Sequence, residues 1–213
     1  PFVVREEKLL LLAIQEEDNT KISIAIQEVL KNCSYGLDID SLAQVDAEYL
    51  FLQIRNKSMG EGIDAVSTCV HCGKKNFMSL DLSKTEIVPP KVNIPDTIEL
   101  SPNLWIVMRL PNIDDSYELA ELTTPAEITK VVAKCVVKLI HGEKIVDPKE
   151  HPLSDMVEWL EGLQDYHFTL ITDYLTNVPT IKFEQEFKCS SNMSKRLKAS
   201  AVLPANPASI WSL

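Results

Sequence analysis

The residue pattern predicts an α+β protein, with helices flanking a small β-rich region that carries a Cys-x-x-Cys hairpin. Three observations predict it. Apolar residues recur at helical spacing before residue 60 and again after residue 125. Between those stretches the period shortens to two on either side of Cys69 and Cys72. Pro89, Pro90, Pro95 and Pro102 then hold the chain extended, as a connector. The expected organisation is a helical region over 1–62, a β-rich region with the cysteine hairpin over 63–112, a helical region over 113–178, and a β element with a tail over 179–213.

Each element has its own signal. Leu9 to Ile14 is apolar and runs into the polar break Glu16-Glu17-Asp18-Asn19. Asn19 or Thr20 can cap a helix with Ile22, Ile26, Val29 and Leu30 on one face, which Gly36 ends in a left-handed exit. Asp40 or Ser41 caps the next helix, which carries Leu42, Val45, Tyr49, Leu50, Leu52 and Ile54 as far as about Met59. Arg55 and Lys57 fall in its last turns, where cations complement the helix dipole, and Gly60 and Gly62 stop it. Residues 63–68 and 77–82 alternate as two short strands around the cysteine turn. Leu104 to Leu110 reads as a strand stopped by Pro111.

The second half returns to helix. Thr123 or Thr124 before Pro125, with Glu127 close behind, is a start signal. The apolar positions Ile128, Val131, Val132, Cys135, Val136, Leu139 and Ile140 then predict one helix up to Gly142. Ser154 or Asp155 opens a helix with Met156, Trp159, Leu160 and Leu163, and Tyr166 to Leu175 forms another. Ile181, Phe183, Gln185 and Phe187 alternate as a strand towards Cys189. The segment from Leu203 to Leu213 reads as a tail that needs an anchor.

Composition limits the function classes. The chain has 213 residues, 45% hydrophobic and 24% charged, which suits a globular protein with a core of its own. With 21 Lys and Arg against 31 Asp and Glu, the net charge is −10. That balance argues against non-specific nucleic-acid or anionic-membrane binding, both of which need a basic face. Lys195, Arg196 and Lys198 form a local basic group, read as solvated surface. No apolar run reaches about 18 residues, so no membrane span is expected. The amino-terminal residues lack the pattern of a secretory signal. Five cysteines make a poor disulfide framework and point to a reducing cytoplasm.

Cys69-x-x-Cys72 followed by Gly73 is the one local motif with chemistry. Two thiolates at this spacing can grip one tetrahedral ion, and zinc is the cofactor they suggest. A complete site needs two more ligands. His71 sits inside the turn, and Cys189 is the candidate third ligand. Three readings stay open: half of a structural zinc site, a metal-free cysteine hairpin, and a redox pair. The redox reading fits least, because a strand rather than a helix follows the motif.

The remaining candidates have plainer readings. Cys135 is a small buried hydrophobe, Cys33 sits at a helix end, and His141 caps a helix carboxyl end. His151 and His167 have no evident partner. Asp114-Asp115 and Glu16-Glu17-Asp18 are acidic pairs that could bind a cation, although such pairs more often cap helices or face solvent. Trp105 and Trp159 suit a core or an interface equally. No phosphate loop, nucleophile elbow or dinucleotide fingerprint is present in the sequence, and no enzymatic activity is expected. For contacts with other chains, the apolar amino-terminal segment and the carboxyl end stand out, with Phe2, Leu10 and Trp211 as interaction residues.

Local motifs, taken in order, resemble a viral family. They comprise Phe2-Val3-Val4-Arg5-Glu6-Glu7-Lys8-Leu9-Leu10-Leu11, then Asp46 to Arg55 (Asp-Ala-Glu-Tyr-Leu-Phe-Leu-Gln-Ile-Arg), then Lys57-Ser58-Met59-Gly60-Glu61. The cysteine turn leading to Asp81-Leu82, and the Thr124-Pro125 segment ending Ile140-His141-Gly142-Glu143, complete the series. This order is similar to that of the baseplate hub subunits and hub assembly proteins of T-even-like bacteriophages, and Glu48 to Glu61 is its most specific part. The resemblance implies a role in virion morphogenesis through contacts with other baseplate hub proteins, or in a homo-oligomer. It implies assembly in the host cytoplasm, a place in the virion tail baseplate, and no enzymatic reaction. It also implies a second cysteine pair near the carboxyl end. This chain keeps Cys189 there but carries Asn192 where the partner would stand.

Overall fold

The computed structural model describes residues 1, 3–16, 18–69, 72–121, 124–189 and 192–202. They form seven α-helices and nine strands in three small antiparallel sheets, an α+β protein as the sequence predicts. The chain divides into two compact units, one of residues 1–40, 45–88 and 179–213, the other of residues 41–44 and 89–178.

The first unit opens with helices α1 (Val4–Gln15) and α2 (Asn19–Cys33), which pack on each other. Ile22, Ile26, Val29 and Leu30 are all buried, so the predicted face of α2 is its core face. The cap lies one residue earlier than expected: the Asp18 carboxylate accepts from the N–H groups of Thr20 (2.9 Å) and Lys21 (3.3 Å). A carboxylate two and three residues upstream reaches two orphan donors at once. Tyr35 and Gly36 follow with φ of 56° and 96°, the left-handed exit predicted at Gly36.

Helix α3 (Gln44–Met59) starts later than its expected caps. Asp40 and Ser41 belong instead to a 3-10 turn (Ile39–Ser41), and Asp40 pairs with Lys31 at 2.7 Å. Phe51 and Leu52 are fully buried and Ile54, Arg55 and Asn56 are buried too, so α3 is enclosed on more than its predicted face. Gly60 ends it at φ +88°, a conformation costly for a residue with Cβ. Arg55 is buried rather than spread along the dipole. Its guanidinium donates to Gly60 O (2.6 Å) and Gly62 O (3.3 Å), tying the helix end to the strand that follows.

That strand, β1 (Gly62–Thr68), pairs with β2 (Lys75–Asp81) in a two-stranded ribbon with Val66 opposite Phe77. β3 (Glu86–Val88), β8 (Thr180–Cys189) and β9 (Asn192–Val202) form a second sheet in the order β3-β8-β9. Leu52, Leu80, Leu82, Ile181 and Phe183 make one core from α3, the ribbon and β8. Strand β9 was not anticipated; it pairs with β8 from Val202 back to Arg196 and, beyond a register shift, Asn192 pairs with Cys189.

The second unit is built on a four-stranded meander of β4 (Thr97–Ser101), β5 (Leu104–Met108), β6 (Val136–His141) and β7 (Lys144–Val146). Helices α4 (Ile113–Glu121), α5 (Pro125–Lys134), α6 (Leu153–Glu161) and α7 (Asp165–Thr176) complete it. Ile98, Leu100, Ile106 and Met108 of the sheet meet Val132 and Ala133 of α5, Met156 and Leu160 of α6, and Ile171 of α7. Thr124 caps α5 in a reciprocal box with Glu127, as the sequence predicts.

The helix expected to run to Gly142 stops at Lys134. The Cys135 N–H closes its last turn on Val131 O and Val132 O, and the chain continues as β6 against β5. The reason for the misreading is visible. A register shift between Val107 and Met108 breaks the two-residue period, so the buried residues of β6, Val136 and Leu139, lie three apart and imitate a helix face. His141 is therefore the end of a strand. Two more corrections concern helix starts. α6 begins at Leu153 behind Pro152, with no side-chain cap from Ser154 or Asp155. α4 was not anticipated; Asn112 and Asp115 start it by exchanging side-chain-to-backbone hydrogen bonds of 2.9 and 3.1 Å.

Candidate functional site

The β1–β2 ribbon carries both sequence-predicted cysteines. After the Thr68–Lys75 pair the loop is closed by two backbone bonds, Cys69 N–H to Lys74 O and Gly73 N–H to Cys69 O, each 2.9 Å. Gly73 takes φ +69° to turn the chain back, which explains a glycine after the second cysteine. Buried Asn76 donates to Lys74 O at 3.1 Å and braces the same loop. Cys69 is buried and Cys72 is exposed.

Two sulfurs supply half of a tetrahedral zinc shell. Among the described residues, no three or more His, Cys, Asp or Glu side chains come together in a way that could hold a metal ion. His71 lies outside the described residues, and Cys189 is placed only as the last residue of β8, paired with Asn192.

The other sequence candidates are scattered. Cys135, at the end of α5, is fully buried; burial first, and then the Asp115 charge, pushes its thiol up to about 12, against Arg109 and Lys134. Such a thiol stays protonated and inert near neutrality. Cys33 ends α2, and burial raises its pKa too. Asp115 is a structural carboxylate: buried, it accepts from Arg109 Nη1 (2.6 Å) and from the Asn112 N–H. Burial is the largest single influence on Arg109 and works against its charge, but the Asp115 hydrogen bond and the Asp115 charge together outweigh it and hold the guanidinium above its ordinary pKa. Arg109 Nη2 also reaches Lys134 O at 3.0 Å, so the pair joins the chain just after β5 to the start of α4 and the end of α5. Among the acidic residues at 16–18, Glu16 pairs with Lys21 and Asp18 caps α2. His151 is exposed beside a 3-10 turn, and His167 lies against the Tyr166 ring at 5.8 Å.

The interaction residues divide. Phe2 and Trp211 lie outside the described residues. Leu10 is 2% exposed and belongs to the core, and α1 instead turns Val4, Leu11 and Leu12 to solvent. Glu6, on the buried side of α1, accepts from the Val3 N–H (3.1 Å) and from Arg5, and both hold its carboxyl below the usual range.

An exposed apolar pair on the β1–β2 ribbon was not singled out by sequence. Phe77 is 84% exposed, and its cross-strand partner Val66 is 50% exposed. They share a ribbon face with Asp64 and Ser79, while Leu80 on the opposite face enters the core. The signal was present: Phe77 alternates in phase with Ser79 and Asp81, and Val66 with Asp64, which places both among polar neighbours on the solvent side. An aromatic directly opposite a β-branched residue stabilises a ribbon and also presents a preformed apolar plate to another chain.

Comparison with known proteins gives one match. The family model described as T4 bacteriophage base plate protein covers residues 1–198. No curated protein and no solved structure matches the chain. Among the described residues, no helix is long and apolar enough to cross a membrane.

Proposed function

Because this chain belongs to the T4 bacteriophage base plate protein family, we propose that it is a hub subunit or hub assembly factor of the contractile-tail baseplate. It acts by presenting shaped surfaces to other hub proteins, without making or breaking covalent bonds. The observation that carries the reading is the family match along residues 1–198. The exposed Val66–Phe77 plate supports it, as do Val4, Leu11 and Leu12 on α1, since each leaves apolar area that a partner chain could cover. Assembly takes place in the host cytoplasm, and the baseplate is the destination.

The test is co-purification of a tagged chain from infected cells, with proteins identified by mass spectrometry and positions by cross-linking. Hub proteins are expected in the eluate, and cross-links are expected from the ribbon and α1. A chain that recovers only tail-tube or sheath proteins refutes the hub assignment and leaves the family membership standing. The alternative reading, a small zinc-binding adaptor, rests on Cys69 and Cys72 alone among the described residues; Cys72→Ser with metal analysis separates the two.

A further inference from the structure

From the free edge of β9 we infer that this chain binds an acidic, extended segment of another protein, added as a further strand beside β9. Two independent observations meet there. The first is topological. β9 runs for eleven residues, its inner edge is paired with β8 from Val202 back to Arg196 and, beyond a register shift, at Asn192, and the order β3-β8-β9 makes it the last strand of its sheet. Among the described residues its outer edge pairs with no strand. A long unpaired edge offers a row of N–H and C=O groups as a template for an extended chain.

The second observation is charge. The chain carries −10 overall, yet no Asp or Glu follows Glu186, and Lys188, Lys195, Arg196 and Lys198 all do. Three of these cations lie within β9. Across β8–β9 the register sets Lys198 opposite Glu186 but Arg196 opposite Lys188. Opposite charges across a strand pair stabilise it and like charges oppose it, so a second cationic neighbour would add to that repulsion and an acidic one would offset it.

Charge also decides the occupant. Antiparallel pairing of β9 with a second copy, centred on Leu197, sets Arg196 opposite Lys198; centred one residue earlier, it sets Arg196 opposite the Arg196 of the other copy. Either arrangement puts cation on cation, so the edge rejects its own copy and selects an acidic strand. The baseplate reading supplies only the source of such a segment. Binding of a synthetic peptide is scored without any baseplate protein, so failure of one claim leaves the other intact.

The test uses the full chain and a fluorescent peptide of about ten residues, a common strand length, in which Glu alternates with Val and Thr. Two controls are a Lys-for-Glu peptide and the acidic peptide with alternate backbone nitrogens methylated, which keeps the charge but cannot complete a strand ladder. The acidic peptide is expected to bind and to slow amide exchange over residues 192–202. The methylated and Lys peptides, and the Lys195→Glu/Arg196→Glu/Lys198→Glu variant, are each expected to weaken binding by at least about tenfold. Equal binding of the methylated peptide overturns the inference, because charge alone then suffices. Absence of binding overturns it too, whether the chain's own residues 203–213 cover the edge or the cations serve only to repel other edges. Exchange on the unsubstituted chain keeps the result decisive if the triple variant fails to fold.

Discussion

Strands β5 and β6 and strands β1 and β2 are both antiparallel neighbours rich in apolar residues, but they use those residues differently. In the first pair Ile106, Met108, Val136 and Leu139 disappear beneath α5, α6 and α7. In the second, Leu80 enters the core while Val66 and Phe77 face solvent. Burying one large apolar side chain contributes about 1.5–3 kcal/mol. The first pair gains this within its own unit. The ribbon leaves Phe77 without it among the described residues, and on the proposed function another chain that covers the plate supplies it. The same kind of secondary structure therefore serves stability in one place and recognition in the other, and substitutions on the two pairs should separate the two uses.

The largest effect is expected at the covered pair. Ile106 is fully buried, so Ile106→Ala should destabilise the second unit by about 3–4 kcal/mol through lost transfer energy and a residual cavity. A shift of the urea midpoint at an unchanged slope is the readout. A loss under about 1 kcal/mol would mean that this sheet face is not a closed core, and the contrast with the ribbon would fail.

Next comes the polar tie on the same sheet. Asp115→Ala leaves Arg109 with its Lys134 and Leu110 carbonyl contacts but without its carboxylate, and leaves the Asn112 N–H without its side-chain acceptor. The expected cost is about 2–3 kcal/mol, since one partner of a largely buried charge pair is removed. Replacement of Arg109 and Asp115 together should cost less than the sum of the single changes, which a double-mutant cycle measures. Strict additivity would show that the two side chains act separately.

How much of this was legible in the sequence depends on the range of the interaction. Caps and turns are local, so Thr124 with Glu127, Gly36, Gly60 and the cysteine loop could be read from neighbouring residues. Asp18 was missed by one position because Asn19 and Thr20 are equally good cap types. The end of α5 was misread because it depends on pairing with β5, thirty residues earlier, and on a register shift that gives β6 a helix-like spacing. β9 was missed for a related reason: its cations resemble a solvated tail until β8 is there to pair with it. For the candidate site, the alternation that exposes Phe77 was in the sequence, but α3, which covers the opposite ribbon face together with β8, was needed to show which face is outside.

A smaller effect is expected where a start signal acts alone. Thr124→Ala removes the hydroxyl that accepts from the Glu127 N–H, at 3.4 Å, and should cost about 1 kcal/mol. Thr124→Asp should recover most of it, because a carboxylate accepts the same bond and suits the positive end of the helix. Amide exchange in the first turn of α5 is the local readout. Unchanged exchange in the alanine variant would show that Pro125 fixes the helix start without the cap.

The smallest effect on stability should come with the largest on assembly. Phe77 is 84% exposed and already hydrated in the free chain, so Phe77→Ser removes little buried area. Thermal midpoint and urea slope should stay within the ±0.5 kcal/mol typical of surface changes. The cross-strand contact with Val66 contributes at most about 1 kcal/mol, and much of that is lost to solvent already at half exposure. In infected cells, however, the variant should lose co-purifying hub proteins, because an aromatic group on a preformed strand is the kind of anchor that dominates an interface. The control is Lys75→Ser, two residues away on the same strand and also exposed, which should leave co-purification intact. If Phe77→Ser instead unfolds the ribbon, the plate is part of the chain's own packing, and the division of labour between the two strand pairs is wrong. If it folds and every partner is retained, the contact lies elsewhere, and α1 with Val4, Leu11 and Leu12 becomes the surface to alter.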